Sequence, residues 1–136
     1  MSASKNITLT EQDVARLAEV ILLFNDLDEN ATESLQEKLD RARVVKPSEL
    51  EGSVVTMNSR VVCRDERGAL RELQVVYPRD ANAAEGRISV LAPLGRALLG
   101  ASVGQHVDVA SGGRSIRTWV IEEIRYQPEA AGDHHL

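Results

Sequence analysis

The stretch Ser89-Val90-Leu91-Ala92-Pro93-Leu94-Gly95-Arg96-Ala97-Leu98-Leu99-Gly100, followed by Val103-Gly104-Gln105-His106-Val107-Asp108-Val109, reads as strand, short helix, glycine exit, tight turn and strand. Pro93 suits the first helical position, where an N–H would have no intrahelical acceptor. Leu94, Ala97 and Leu98 then share one face at helical spacing. Gly100 suits the left-handed residue that closes a short helix, and Gly104 suits a turn before the next strand.

Around this helix the pattern has the period of strands. Residues 70–77 carry Leu73, Val75 and Tyr77 in alternation and stop at Pro78, and a polar loop over 79–86 leads back through 87–91. Arg60-Val61-Val62-Cys63-Arg64 predicts a strand closed by the turn Asp65-Glu66-Arg67-Gly68, and Val54-Val55-Thr56-Met57 predicts another. Ser111-Gly112-Gly113-Arg114 is a hairpin signal. The last strand sorts Ile116, Thr118, Val120, Glu122 and Ile124 to one side, and Arg117, Trp119, Ile121, Glu123 and Arg125 to the other.

Ahead of Pro47 the period is helical. Val14, Leu17, Ala18, Ile21 and Leu22 mark a buried face over residues 11–24, widened by Val20, Leu23 and Phe24. Thr10-Glu11-Gln12-Asp13 resembles a capping box with Asp in the place of Glu or Gln. Asn25-Asp26-Leu27-Asp28-Glu29-Asn30 interrupts the pattern, and Asn30-Ala31-Thr32-Glu33 predicts the start of a second helix. That helix carries Leu35, Leu39 and Ala42 as its stripe, a Glu37–Arg41 pair, and a stop at Lys46-Pro47. Helices joined so tightly run antiparallel. The expected class is α+β: a helical hairpin, or short coiled coil, over 1–47, then an antiparallel sheet wrapped on one short helix over 48–136.

The composition narrows the function. A chain of 136 residues with 43% apolar content buries one modest core, and a net charge of −5 without basic runs argues against independent nucleic acid binding. Cys63 is the sole cysteine, which excludes an intrachain disulfide and a cysteine zinc site and fits a reducing cytoplasm. It reads as a small buried hydrophobe. No apolar run approaches the roughly 18 residues of a membrane span, and no signal-peptide layout opens the chain. No serine or cysteine has a recognisable base partner, and His106, His134 and His135 form no converging metal set. No catalytic residue, metal or cofactor is expected.

The block Gly86-Arg87-Ile88-Ser89-Val90, Pro93-Leu94-Gly95-Arg96-Ala97-Leu98-Leu99-Gly100, Val103-Gly104 and Ile121-Glu122-Glu123-Ile124-Arg125-Tyr126 resembles the C-terminal domain of the GreA/GreB transcription elongation factors. Val54-Val55-Thr56-Met57-Asn58-Ser59-Arg60-Val61, Val76-Tyr77-Pro78 and Tyr126-Gln127-Pro128-Glu129-Ala130-Ala131-Gly132-Asp133 resemble one branch of it, the regulators of nucleoside diphosphate kinase. The resemblance implies an FKBP-like sheet behind a helical hairpin, in a cytoplasmic protein that docks on RNA polymerase at the secondary channel. It implies docking through Pro93, Leu94 and Arg96. Asp26-Leu27-Asp28-Glu29-Asn30-Ala31 is similar to the acidic tip of cleavage factors, where carboxylates help hold a second magnesium ion in the polymerase. Asp26 and Glu29 are the implied tip pair, and Asp28 stands where a basic residue is usual.

Two features point away from cleavage and from isomerase activity. A first helix of about 14 residues spans roughly 21 Å, well short of a cleavage-factor hairpin. The expected role is that of a modulator or competitor of Gre-type factors. An FKBP-like fold also invites a peptidyl-prolyl isomerase assignment, yet Phe24, Tyr77, Trp119 and Tyr126 are scattered and supply no aromatic pocket. The alternative role is regulation of nucleoside diphosphate kinase, directly or through its expression.

Overall fold

The computed structural model describes residues 7–111 and 115–133. The residues of the expected Gly112-Gly113 turn, together with His134 and His135, lie outside the described residues. Helix α1 (Glu11–Phe24) begins where expected, with Thr10 Oγ1 accepting from the Asp13 N–H at 3.0 Å. Only half of the capping box forms, because the Asp13 side chain turns inward. Leu17 and Val20 are buried, whereas Ala18 is exposed and Leu22 is 81% exposed.

Helix α2 (Glu29–Arg41) starts two residues earlier than the sequence suggests. Its cap is Asp28, whose Oδ1 accepts from the Ala31 N–H at 3.1 Å. The inter-helix turn decides this: the N–H groups of Leu27 and Asp28 both donate to Phe24 O, which leaves Asp28 in position to cap. Leu35 and Leu39 are buried as expected. The Glu37–Arg41 pair does not form, and Gln36 donates to Asp40 Oδ1 instead at 2.9 Å.

The second helix also ends sooner, at Arg41 rather than beside Pro47. Strand β1 (Thr8–Thr10) and strand β2 (Arg43–Val45) pair in parallel, one entering the helical hairpin and the other leaving it. The Thr8 N–H then donates to Gly100 O, tying this clasp to the rest of the fold.

Beyond the clasp lies a five-stranded sheet in the order β5-β4-β3-β7-β6. Its strands are β3 (Arg60–Arg64), β4 (Leu70–Val76), β5 (Arg87–Ser89), β6 (His106–Ser111) and β7 (Ser115–Tyr126). The sheet is mixed rather than wholly antiparallel, because the loop over 77–86 crosses over and brings β5 in parallel to β4. Residues 54–57 form no strand. All four are buried, only Val54 bridges to Ser102, and Asn58 turns the chain with φ +68°. The apolar side chains of Val54, Val55 and Met57 record burial in a loop.

Register shifts in the β3–β7 pairing also alter the expected faces. Val61 lies opposite Ile124 and Cys63 opposite Ile121, so the bulge at Glu122 brings Ile121 and Ile124 to the same face. Helix α3 (Pro93–Leu98) packs against the strands that flank it, and Gly95 permits this approach: a Cβ there would lie 2.1 Å from Ser89 O. Gly100 closes the turn at φ +82° as expected. One contiguous core joins Leu17 and Leu35 of the hairpin to Met57, Val75, Leu98 and Ile121. Cys63 is fully buried in it, and burial pushes its thiol up to about 11.

Candidate functional site

The Pro93 helix presents the first group of candidate residues. Ala92 offers no side-chain cap, so the helix is started by Pro93, whose ring is exposed. Leu94 is half-buried and packs on the core. Arg96 is also half-buried, and its guanidinium donates to Leu91 O, bracing the loop that enters the helix. Lys38 reaches across from α2 and donates to the carbonyls of Arg96 and Ala97, the latter at 3.1 Å. It thereby occupies carbonyls at the end of a helix too short to satisfy them itself.

The electrostatics follow from that packing. Burial, reinforced by the neighbouring Arg41 and Arg96 cations, pulls the Lys38 amine down to about 7. Burial lowers Arg96 as well, opposed by the Asp28 carboxylate. The structure thus brings one of the acidic tip candidates within electrostatic reach of one of the docking candidates, which spacing in sequence does not reveal.

At the hairpin tip, Asp26, Asp28 and Glu29 are all exposed. Asp28 is engaged as the α2 cap, and Glu29 is the first residue of that helix. Leu27 is 79% exposed beside them, and Leu22 and Leu23 add uncovered apolar surface on α1. Among the described residues no three His, Cys, Asp or Glu side chains gather as a metal site. The tip is therefore a set of separate carboxylates on an apolar knob.

The joint between hairpin and sheet is a buried polar cluster that the sequence did not single out. Asp13 Oδ2 accepts from the Met57 N–H at 3.1 Å, and Oδ1 accepts from Arg16 Nη2 at 2.9 Å. Thr56 Oγ1 donates to Glu129 Oε1 at 2.7 Å and lies 2.9 Å from Ser59 Oγ. Glu129 belongs to α4 (Pro128–Ala131), capped by Gln127, whose amide also donates to Glu51 O and Val54 O. Burial pushes Asp13 up to about 6, and the Glu129 carboxylate adds to the rise. Burial likewise holds the Tyr77 phenol well above its ordinary value, and the Arg16 guanidinium lies 5.7 Å from that ring. An Asp at the third helical position, where a capping box usually has Glu or Gln, is the one hint of this cluster in the sequence.

A helical hairpin clasped to a curled mixed sheet with a Pro-started helix is the fold of the GreA/GreB factors, as comparison with known proteins shows. Residues 50–126 match the family model described as transcription elongation factor GreA/GreB, C-terminal, and the chain belongs to that family. It is 41% identical over 105 residues to the regulator of nucleoside diphosphate kinase of Escherichia coli (strain K12), covering 76% of this chain and 77% of that protein. It is 35% identical over 104 residues to transcription elongation factor GreA of Azorhizobium caulinodans, covering 76% of this chain and 66% of that one. Among solved structures, the transcription elongation factor GreA/GreB from Nitrosomonas europaea superposes with a TM-score of 0.75 at 34% identity, over 88% of this chain and 99% of that chain. No described helix is long and apolar enough to cross a membrane.

Proposed function

We propose that this protein is a regulator of transcription that docks on bacterial RNA polymerase at the secondary channel and competes with or modulates Gre-type factors there. Pro93, Leu94 and Arg96 form the docking contact, and the hairpin projects its acidic tip toward the channel without stimulating transcript cleavage appreciably. The observation that carries this is the length of the hairpin. Helix α1 has 14 residues, which at 1.5 Å per residue gives a shaft of roughly 21 Å. A carboxylate assists a two-metal centre only within coordination distance of the ion, so a tip held short of it exerts its effect by occupancy. Membership of the GreA/GreB family supports the polymerase as partner.

The test is competition for core RNA polymerase against a labelled cleavage factor. Displacement at stoichiometric concentration, with no cleavage of stalled transcripts, is the expected result. Efficient cleavage that depends on Asp26 and Glu29 would overturn the modulator role. The name of the Escherichia coli relative favours a second role, regulation of nucleoside diphosphate kinase. Retention of the kinase rather than polymerase in a pull-down would bring that role forward.

A further inference from the structure

Lys38, Arg41 and Arg96 meet along a groove of about 630 Å³ between α2, the start of α3 and β6. Lys38 and Arg96 are half-buried and donate to main-chain carbonyls, while Arg41, the last residue of α2, is exposed. Among the described residues none of the three forms an ion pair. Asp28 acts on Arg96 from beyond ion-pair distance. The acids on the same groove do not neutralise it: Asp108 accepts from the Thr118 hydroxyl at 2.8 Å, and Glu37 is exposed and makes no ion pair. Cations drawn partly out of water without a counter-ion are unfavourable, and a carboxylate brought by a partner relieves that cost.

We propose that this groove receives an acidic, carboxylate-bearing segment of a protein partner, gripped by Lys38 and Arg41 of the hairpin together with Arg96 of the α3 helix. The inference rests on the polymerase-docking function above and names the chemistry of what that surface touches. The hairpin is then half of the grip as well as a pointer. A nucleic acid suits the groove less, because Glu37 and Asp108 would face its phosphates and the chain carries a net charge of −5. The Lys38 amine, at about 7, faces Glu37 and Arg41 of its own helix, Arg96 of α3 and Asp108 of β6. A carboxylate entering the groove raises that value, so the complex takes up a proton and association weakens as pH rises through neutrality.

The test is a fluorescence titration of the full chain with core RNA polymerase, comparing the parent with Arg41→Glu and Lys38→Met. Arg41→Glu is expected to bind about tenfold more weakly with a shallower salt dependence, while still unfolding in one cooperative melt because Arg41 is exposed. Lys38→Met, which keeps the aliphatic stem, is expected to lose the dependence on pH near neutrality. Equal affinity and identical salt and pH profiles for all three chains would overturn the proposal. If the parent itself does not bind polymerase, the docking function falls, and poly-glutamate decides the groove: binding lost in Arg41→Glu supports it, and no binding by the parent overturns it. Binding of single-stranded DNA that is tighter than poly-glutamate and lost in Arg41→Glu overturns it also.

Discussion

Asp13 of the first helix and the backbone N–H of Met57 meet at 3.1 Å in the protein interior, 44 residues apart in the chain. The contact lies where the hairpin rests on the sheet, and the carboxylate that makes it is fully buried. An ionised group in that position is costly unless its lone pairs are filled. Met57 and Arg16 each fill one oxygen, which reduces the cost without removing it.

The first prediction is a pH dependence set by Asp13. Its carboxyl titrates at about 6 in the fold against an ordinary value of 3.8. Between these values the native state holds a proton that the unfolded chain has released. The contribution of this group therefore makes stability rise as pH falls through about 6 and then level off below about 4. The change amounts to about 3 kcal/mol. Urea unfolding of the parent and Asp13→Asn across this range checks it: the substitution is expected to flatten the slope, since an amide oxygen still accepts from Met57.

Gly95 predicts a steric result. A methyl there meets the Ser89 carbonyl at 2.1 Å, and that atom is backbone, so α3 must lift off the strand before it. Gly95→Ala is expected to cost about 3 kcal/mol. Gly104 has φ +88° but nothing within 4 Å of a new Cβ, so Gly104→Ala is expected to cost only about 1 kcal/mol. Denaturation midpoints of the two variants separate close approach from backbone strain.

Thr56 anchors the C-terminal turn to the buried loop before β3. Its hydroxyl donates to the Glu129 carboxylate at 2.7 Å, and both residues are buried. Thr56→Val preserves shape and removes the donor, leaving a carboxylate oxygen unfilled. A loss of about 2 kcal/mol is expected in chemical denaturation.

At the tip, stability and function separate by residue. Asp28→Ala removes the α2 cap and is expected to cost about 1 kcal/mol. Asp26→Ala, on an exposed turn, is expected to change stability by no more than about 0.5 kcal/mol. Thermal unfolding distinguishes them, so any effect of Asp26 on polymerase behaviour is free of a folding contribution.

Arg96 carries the docking prediction. Arg96→Glu reverses the charge and removes the donor to Leu91 O, and competition against a cleavage factor is expected to weaken by about tenfold or more. The main-chain carbonyl of residue 96 still accepts from Lys38, so the helix keeps that support.

Much of this architecture is legible in the sequence because local chemistry decides it. Pro93, Gly100 and Thr10 each mark an element boundary through a backbone requirement that few other residues meet, and α1 runs over the residues its periodicity predicts. What escapes is set by partners distant in the chain. Strands β1 and β2 have three residues each, too short to show alternation, and exist because each is the other's neighbour. Val54, Val55 and Met57 are apolar because the loop is buried, and Ile124 faces inward because β7 bulges. Leu22 fits the helical stripe, yet nothing covers it at that end of the hairpin. The candidate site divides the same way: Pro93 and the acidic tip show in the sequence, whereas Lys38 depends on α3 lying 58 residues further on.

The parallel clasp of β1 and β2 makes the hairpin a ruler. Both helices start and finish at one fixed base, which Thr8 pins to Gly100 beside the Pro93 helix. Adding one heptad to each helix would carry the tip outward by roughly 10 Å and leave the base untouched. The reach of the tip is thus a length set by the two helices and not by the clasp, and a graded series of such extensions would measure how the proposed competition for polymerase depends on it.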